Sequence, residues 1–306
     1  MTVIGTCRLC ERDGELRESH IIPRFVTDHQ KESSATGFLR TSACINRRVQ
    51  DGTKLYMLCP SCEGMFNQWE TSFANKIYHP WCNREAPQLF YGPWMLKFAV
   101  SVSWRVLTWY MDYSAELVSY TTDAQRLISD ALLTWKHFLF DEIPNPREYE
   151  QHMMLFDAIE SATHPHLLPP NINRFVTRGM HINLAHSNGH PLFIYTKMGK
   201  ITLLGFLGIN YHRQWVGTKL QVKNGKVGGN ITLPSQFADY LNERAQCTQD
   251  EYAKLSQKQT KVIEKTFETN ADRAARSESL QMMTADVEMF GIDKVFQKRK
   301  RSEQEN

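Results

Sequence analysis

No stretch of this 306-residue chain is apolar for long enough to be expected to span a bilayer. The best candidate, Trp94 to Tyr113, has about the right length. Lys97 and Arg105 interrupt it at depths where each charge costs roughly 2.5–3.5 kcal/mol, so a buried core helix is expected instead. Internal repeats and low-complexity tracts are missing as well, which leaves an ordinary globular chain large enough to build its core without metal or disulfides. No segment ahead of Cys7 reads as charged start, apolar run and cleavage site, and seven cysteines is an odd number. A secreted disulfide scaffold is therefore not expected, and a reducing, cytoplasmic setting is.

One further scarcity is local. Residues 161–238 contain no Asp or Glu, against eight Lys plus Arg and six of the eleven histidines, although the net charge of the whole chain is only +3. A phosphate backbone would be drawn to such a stretch. The competing account is that it packs against residues 81–160, where eleven carboxylates face six cations.

Four of the seven cysteines form two close pairs, Cys7-x-x-Cys10 and Cys59-x-x-Cys62. Each pair closes a knuckle whose two sulfurs reach one ion, and two knuckles complete a closed tetrahedral site with no position for water, the pattern of a structural Zn²⁺. The long insertion between the pairs is tolerated because loop closure grows slowly with length. Cys44, Cys82 and Cys247 are left over.

The fold class expected is α+β, in five stretches. Residues 1–80 read as a small metal-organised module, with a strand from Leu55 to Leu58 and then a helix from Glu63 on which Phe66, Trp69, Phe73 and Ile77 share one face. Residues 81–160 read as helical, around Phe98 to Tyr110, Ala124 to Phe140 and Glu148 to Ser161, and His164-Pro165-His166 as a linker. Residues 161–238 read as strands, Met180 to Ala185, Pro191 to Met198, Ile201 to Ile209 and Leu220 to Val227, with Asn224-Gly225 as a hairpin turn. Residues 239–290 return to helix, Ser235 to Lys254 and Gln257 to Asp286. The tail 291–306, with Lys298-Arg299-Lys300-Arg301, is expected to be disordered.

The order Cys7-x-x-Cys10, Ser19-His20-Ile21-Ile22-Pro23, Leu58-Cys59-Pro60-Ser61-Cys62-Glu63, then a helix carrying Glu70, resembles the HNH endonuclease family of the ββα-metal fold in its zinc-knuckle form. The likeness covers residues 5–80. It implies a metal-dependent nuclease acting on nucleic acid, with DNA the expected polymer, and by analogy a restriction-like or antiviral setting. His20 would be the general base that activates water. Asn46 would brace the loop that carries it. Glu63, with Asn67 or Glu70, would hold a catalytic Mg²⁺ or Mn²⁺. Arg24, Arg40, Arg47 and Arg48 would grip phosphates beside the site, and Lys197, Lys200, Arg213 and Lys219 of the acid-free segment would recruit the polyanion.

The chain departs from the family at Ser19, where many members place an Asp or His ligand just before the base. Plainer roles stand beside the chemical ones. Glu63 would also serve as a first-turn acid favouring the helix dipole, and Glu70 as a salt-bridge partner of Arg24 or Arg40. The alternative function is a zinc-stabilised nucleic-acid-binding or protein-interaction module without catalysis.

Overall fold

The computed structural model describes residues 2–41, 44–114, 120–208 and 212–296. The chain begins with β1 (Val3–Thr6), β2 (Asp13–His20), α1 (Arg24–Glu32), β3 (Leu39–Thr41), β4 (Cys44–Val49) and β5 (Lys54–Leu58). Helix α2 (Pro60–Phe73) passes through a π-helical turn (Ala74–Tyr78) into α3 (His79–Cys82), and β6 (Gln88–Tyr91), α4 (Trp94–Tyr113), α5 (Thr122–Leu139) and β7 (Gln151–Leu155) follow. Next come α6 (Ile172–Thr177), β8 (Met180–Ser187), β9 (His190–Met198), β10 (Ile201–Phe206) and β11 (Gly225–Gly228). The chain then runs through α7 (Ser235–Ala253), α8 (Gln257–Thr269), α9 (Ala271–Arg276), α10 (Glu278–Phe290) and α11 (Ile292–Val295). The architecture is mixed α+β.

Two compact units form, and they cut across the sequential stretches. The first comprises Met1–Thr27, Gly52–Leu155 and Met180–Pro234; the second holds the described residues of Asp28–Asp51, Phe156–Gly179 and Ser235–Asn306.

In the first unit β1, β2 and β5 make an antiparallel sheet, and β7-β10-β9-β8 a larger one. Helix α4 is apolar on nearly every side and correspondingly buried from Met95 to Thr108, Lys97 excepted. It packs on the larger sheet closely enough that a Cβ at Gly205 would stand 2.5 Å from Ser103 Oγ. That hydroxyl donates to Gln151 Oε1 at 2.7 Å. On its other side Phe98 stacks on Phe73 of α2, ring centroids 3.9 Å apart. Helix α5 starts where Thr121 caps it, accepting from the Ala124 amide at 3.2 Å.

Three expectations are corrected here. Gln151–Leu155, expected inside a helix, is strand β7, because these residues are buried on both faces and pair with β10. Asn224-Gly225 is no hairpin turn: β11 pairs with β6, far away in sequence, so its partner is not β10. Gln257 to Asp286 is broken twice, at Asn270 and at Ser277, whose hydroxyl accepts from the Leu280 amide at 3.2 Å and so caps α10.

The second unit contains the β3–β4 ribbon and helices α6 to α11. Its buried anchor is Asp286 of α10, which accepts from the Asn173 amide at 2.8 Å, the Arg174 amide at 3.3 Å and Arg174 Nε at 2.8 Å. The tail expected to be disordered begins with α11, and its Lys298 to Arg301 cluster lies outside the described residues.

Candidate metal centre and strand-end site

Residues of the β1–β2 turn form the first knuckle. The Cys7 amide donates to the Arg12 carbonyl at 3.0 Å and the Glu11 amide to the Cys7 carbonyl at 2.9 Å. The second knuckle is the start of α2. Cys59 is its extended N-cap residue, Pro60 occupies the first turn where a missing N–H costs nothing, and the Glu63 amide donates to the Cys59 carbonyl at 3.0 Å. The Arg8 amide joins the knuckles by donating to the Met57 carbonyl at 2.8 Å.

All four sulfurs lie within 4.8 Å of one another, and Cys10 Sγ and Cys59 Sγ are 3.8 Å apart. Zn–S bonds of about 2.3 Å place the corners of a tetrahedron about 3.8 Å apart, so the cluster fits Zn²⁺. Burial pushes the Cys7 thiol up, and burial with the neighbouring thiolate of Cys7 pushes Cys62 far higher. Burial also opposes ionisation of Cys10, but the Arg12 side chain and hydrogen bonds within the knuckle outweigh it and bring the thiol to about 6. A dication among the sulfurs would favour the thiolate form over these burial effects. Cys44 and Cys247 are exposed, Cys82 is buried, and none of the three joins the cluster.

Strand β2 carries Ser19 and His20 to its end, paired with Leu55 and Lys54 of β5. Strand alternation sends the two side chains to opposite faces. Ser19 is fully buried and donates through Oγ to Glu63 Oε2 at 2.5 Å. His20 is half-buried, on the face that carries the Glu18–Lys54 ion pair of 2.7 Å.

Of the stripe Glu63, Asn67 and Glu70 expected to hold a metal, one carboxylate is taken by an arginine. Among the described residues the four cysteines are the group of three or more His, Cys, Asp or Glu whose ligand atoms converge. Asn67 is exposed. Glu70 pairs with Arg105 of α4, Nη2 to Oε1 2.6 Å, and this replaces the expected partners Arg24 and Arg40. Glu63 is left as a single carboxylate, which suits Mg²⁺ or Mn²⁺ only with waters and a substrate phosphate completing the shell.

Asn46 does not brace the His20 loop. It belongs to the second unit, where its side chain donates to the Lys254 carbonyl at 3.3 Å and accepts from the Ser256 amide at 2.8 Å. Arg40, in the same unit, is held down: Nη1 donates to the Ile45 carbonyl and Nη2 to Gln259 Oε1, each at 2.8 Å. Arg47 and Arg48 are exposed on β4, with Arg48 Cζ 4.1 Å from the Phe38 ring centroid. Arg24 is exposed at the first residue of α1.

The expectation that Lys197 and Lys200 recruit the polyanion does not hold, because they are buried at 2% and 4% exposure. Lys197 Nζ donates to the Gly199 carbonyl at 2.9 Å. Lys219 pairs with Glu150 at 2.5 Å, and Arg213 is exposed. A count of charges along a segment says nothing about which strand face each one takes. Sequence reasoning missed Arg105 as part of the site; its signal was a cation, one of two with Lys97, inside an otherwise apolar helix stretch. No protein-family model, curated protein or solved structure matches the chain.

Proposed function

We propose that this protein hydrolyses phosphodiester bonds of nucleic acid, DNA being the expected polymer, in the manner of an HNH endonuclease. The supporting observation is the corner where β2 ends against the first turn of α2, clamped by the four-cysteine cluster and closed by the Ser19–Glu63 hydrogen bond. The two positions that the family resemblance assigns to the metal meet there. His20 is the next residue and the last of the strand, and in this reading its imidazole accepts the proton of the attacking water. Its backbone is fixed on both sides, its carbonyl by Arg105 Nη1 at 2.8 Å and the following Ile21 amide by the Thr53 carbonyl at 3.0 Å. A divalent ion held by Glu63 and the substrate phosphate would supply charge neutralisation when bound. The four cysteines take no part in the chemistry; they hold the corner in shape.

The test is incubation of the full-length protein with plasmid DNA, single-stranded DNA and RNA, in Mg²⁺, Mn²⁺ or chelator. Wild type should nick, and His20→Ala should lose the activity while keeping its melting temperature. Equal rates in the two proteins would reject His20 as base.

A second reading, nucleic-acid binding without catalysis, is favoured by specific observations: Glu70 is neutralised by Arg105, a serine occupies the ligand position before His20, and strand alternation turns His20 away from the face on which Ser19 meets Glu63. It predicts salt-dependent binding with no strand cleavage in any metal.

A further inference from the structure

We infer that Arg105, on a helix outside the ββα module, is a positioning residue for His20, which makes α4 a working part of the site; this rests on the hydrolase reading above. The side chain is 2% exposed. Nη1 donates to the His20 carbonyl at 2.8 Å, Nη2 lies 2.6 Å from Glu70 Oε1, and Nε donates to the Ser101 carbonyl of its own helix at 3.3 Å. The Nη2 contact is an ion pair more than an aligned hydrogen bond. Cζ stands 5.4 Å from the Phe66 ring centroid, so the guanidinium also rests on α2. One planar fork thus ties α4, α2 and the end of β2 together.

Stability alone is a poor reason for such a group. Replacing a buried ion pair by apolar side chains of similar volume is often neutral or stabilising, and α4 is already apolar around this point. What an apolar side chain cannot do is hold a carbonyl. His20 is the last residue of β2, where the ladder to β5 stops, and its carbonyl is taken by the guanidinium. The position of that peptide fixes where the imidazole stands, and a displacement of about 1 Å in a reacting group costs on the order of 10²-fold in rate. Glu70 then aims and neutralises the fork, which gives the acid seven residues beyond Glu63 a role that requires no metal.

The experiment compares full-length wild type, Arg105→Met, Arg105→Lys, Glu70→Gln and the Arg105→Met/Glu70→Gln double variant. Plasmid nicking, thermal melting and hydrogen exchange at the Ile21 amide are measured on each. The Arg105→Met/Glu70→Gln double variant, which removes the pair together, should melt within a few degrees of wild type, whereas Arg105→Met alone strands the Glu70 carboxylate and should melt lower. Assayed well below their transitions, both should lose about 10- to 100-fold in kcat with KM unchanged and exchange faster at Ile21. Arg105→Lys should recover part of kcat, since an ammonium reaches one acceptor where the fork reaches two. Glu70→Gln should fall in the same direction, and the double variant should be no slower than Arg105→Met, because both act through one contact. Wild-type kcat in Arg105→Met, or a loss that tracks only the fraction unfolded with no recovery in Arg105→Lys, would overturn the inference. If wild type cleaves nothing, the hydrolase reading fails and the exchange data decide the tie alone: faster exchange at Ile21 upholds it and unchanged protection rejects it.

Discussion

Removing the second knuckle should unfasten the first unit by an amount that the geometry sets. In the double variant Cys59→Ser/Cys62→Ser, a Zn²⁺ held by the cluster would lose two of its four ligands, and the cross-link between the knuckles with them. Cys10 and Cys59 are 49 residues apart in sequence, so the metal closes a loop of about that size in the unfolded chain. Chain-entropy bookkeeping for a covalent cross-link of that length gives about 4 kcal/mol. A unit of 150–250 residues loses about 2–4 °C per kcal/mol, so the transition should fall by about 8–16 °C. Chelation of wild type should reproduce the shift. The assay is calorimetry on protein purified in reducing buffer, with zinc counted by elemental analysis and Cys44→Ser and Cys247→Ser as exposed controls. One zinc per chain is expected in wild type and the two controls, and none in the double variant. Wild type with far less than one zinc per chain, or a double variant melting within about 2 °C of wild type, would refute the reasoning.

Other consequences are independent of the metal. Asp286→Ala leaves the Arg174 guanidinium and the Asn173 amide facing a void, and urea unfolding should show a loss of about 3–5 kcal/mol. Burial raises the Asp286 carboxyl above the ordinary 3.8, against the pull of Arg174. The stabilisation that comes with its protonation is therefore complete below 3.8 and lost as pH rises through the raised folded value, so Asp286→Asn should flatten the urea midpoint across that window. Phe73→Ala removes a fully buried ring stacked between α2 and α4 and should cost about 3–5 kcal/mol in the same assay. In nucleic-acid binding, Arg48→Ala should reduce the salt slope by about 1, whereas Lys197→Met should leave it unchanged because that ammonium does not reach the surface.

Much of the fold was legible because its signals are local. The periodicity around Phe98 to Tyr110 gave α4, the stretch Ala124 to Phe140 overlaps α5, and the strands Met180 to Ala185 and Pro191 to Met198 lie within β8 and β9. The misreadings share a cause. Gln151–Leu155 and Gly225–Gly228 are short, and what makes each a strand is a distant partner, β10 for the first and β6 for the second. Asn46 carried the right side chain for a bracing role but folds into a different unit, where it is spent on the α7–α8 junction.

The sequence by itself determined the two cysteine knuckles, because the geometry of a Cys-x-x-Cys turn is set within four residues and a thiolate pair has few other uses in that spacing. It also marked Ser19-His20 and Glu63 as the residues those knuckles hold. Tertiary structure alone decided the company they keep. Arg105 reaches the His20 carbonyl from 85 residues away, Glu70 is drawn to that cation, and Lys197 and Lys200 turn inward. Charge and residue type are written along the chain, but whether a charge meets solvent, a carboxylate or a carbonyl depends on what the fold packs against it, and no local pattern records that.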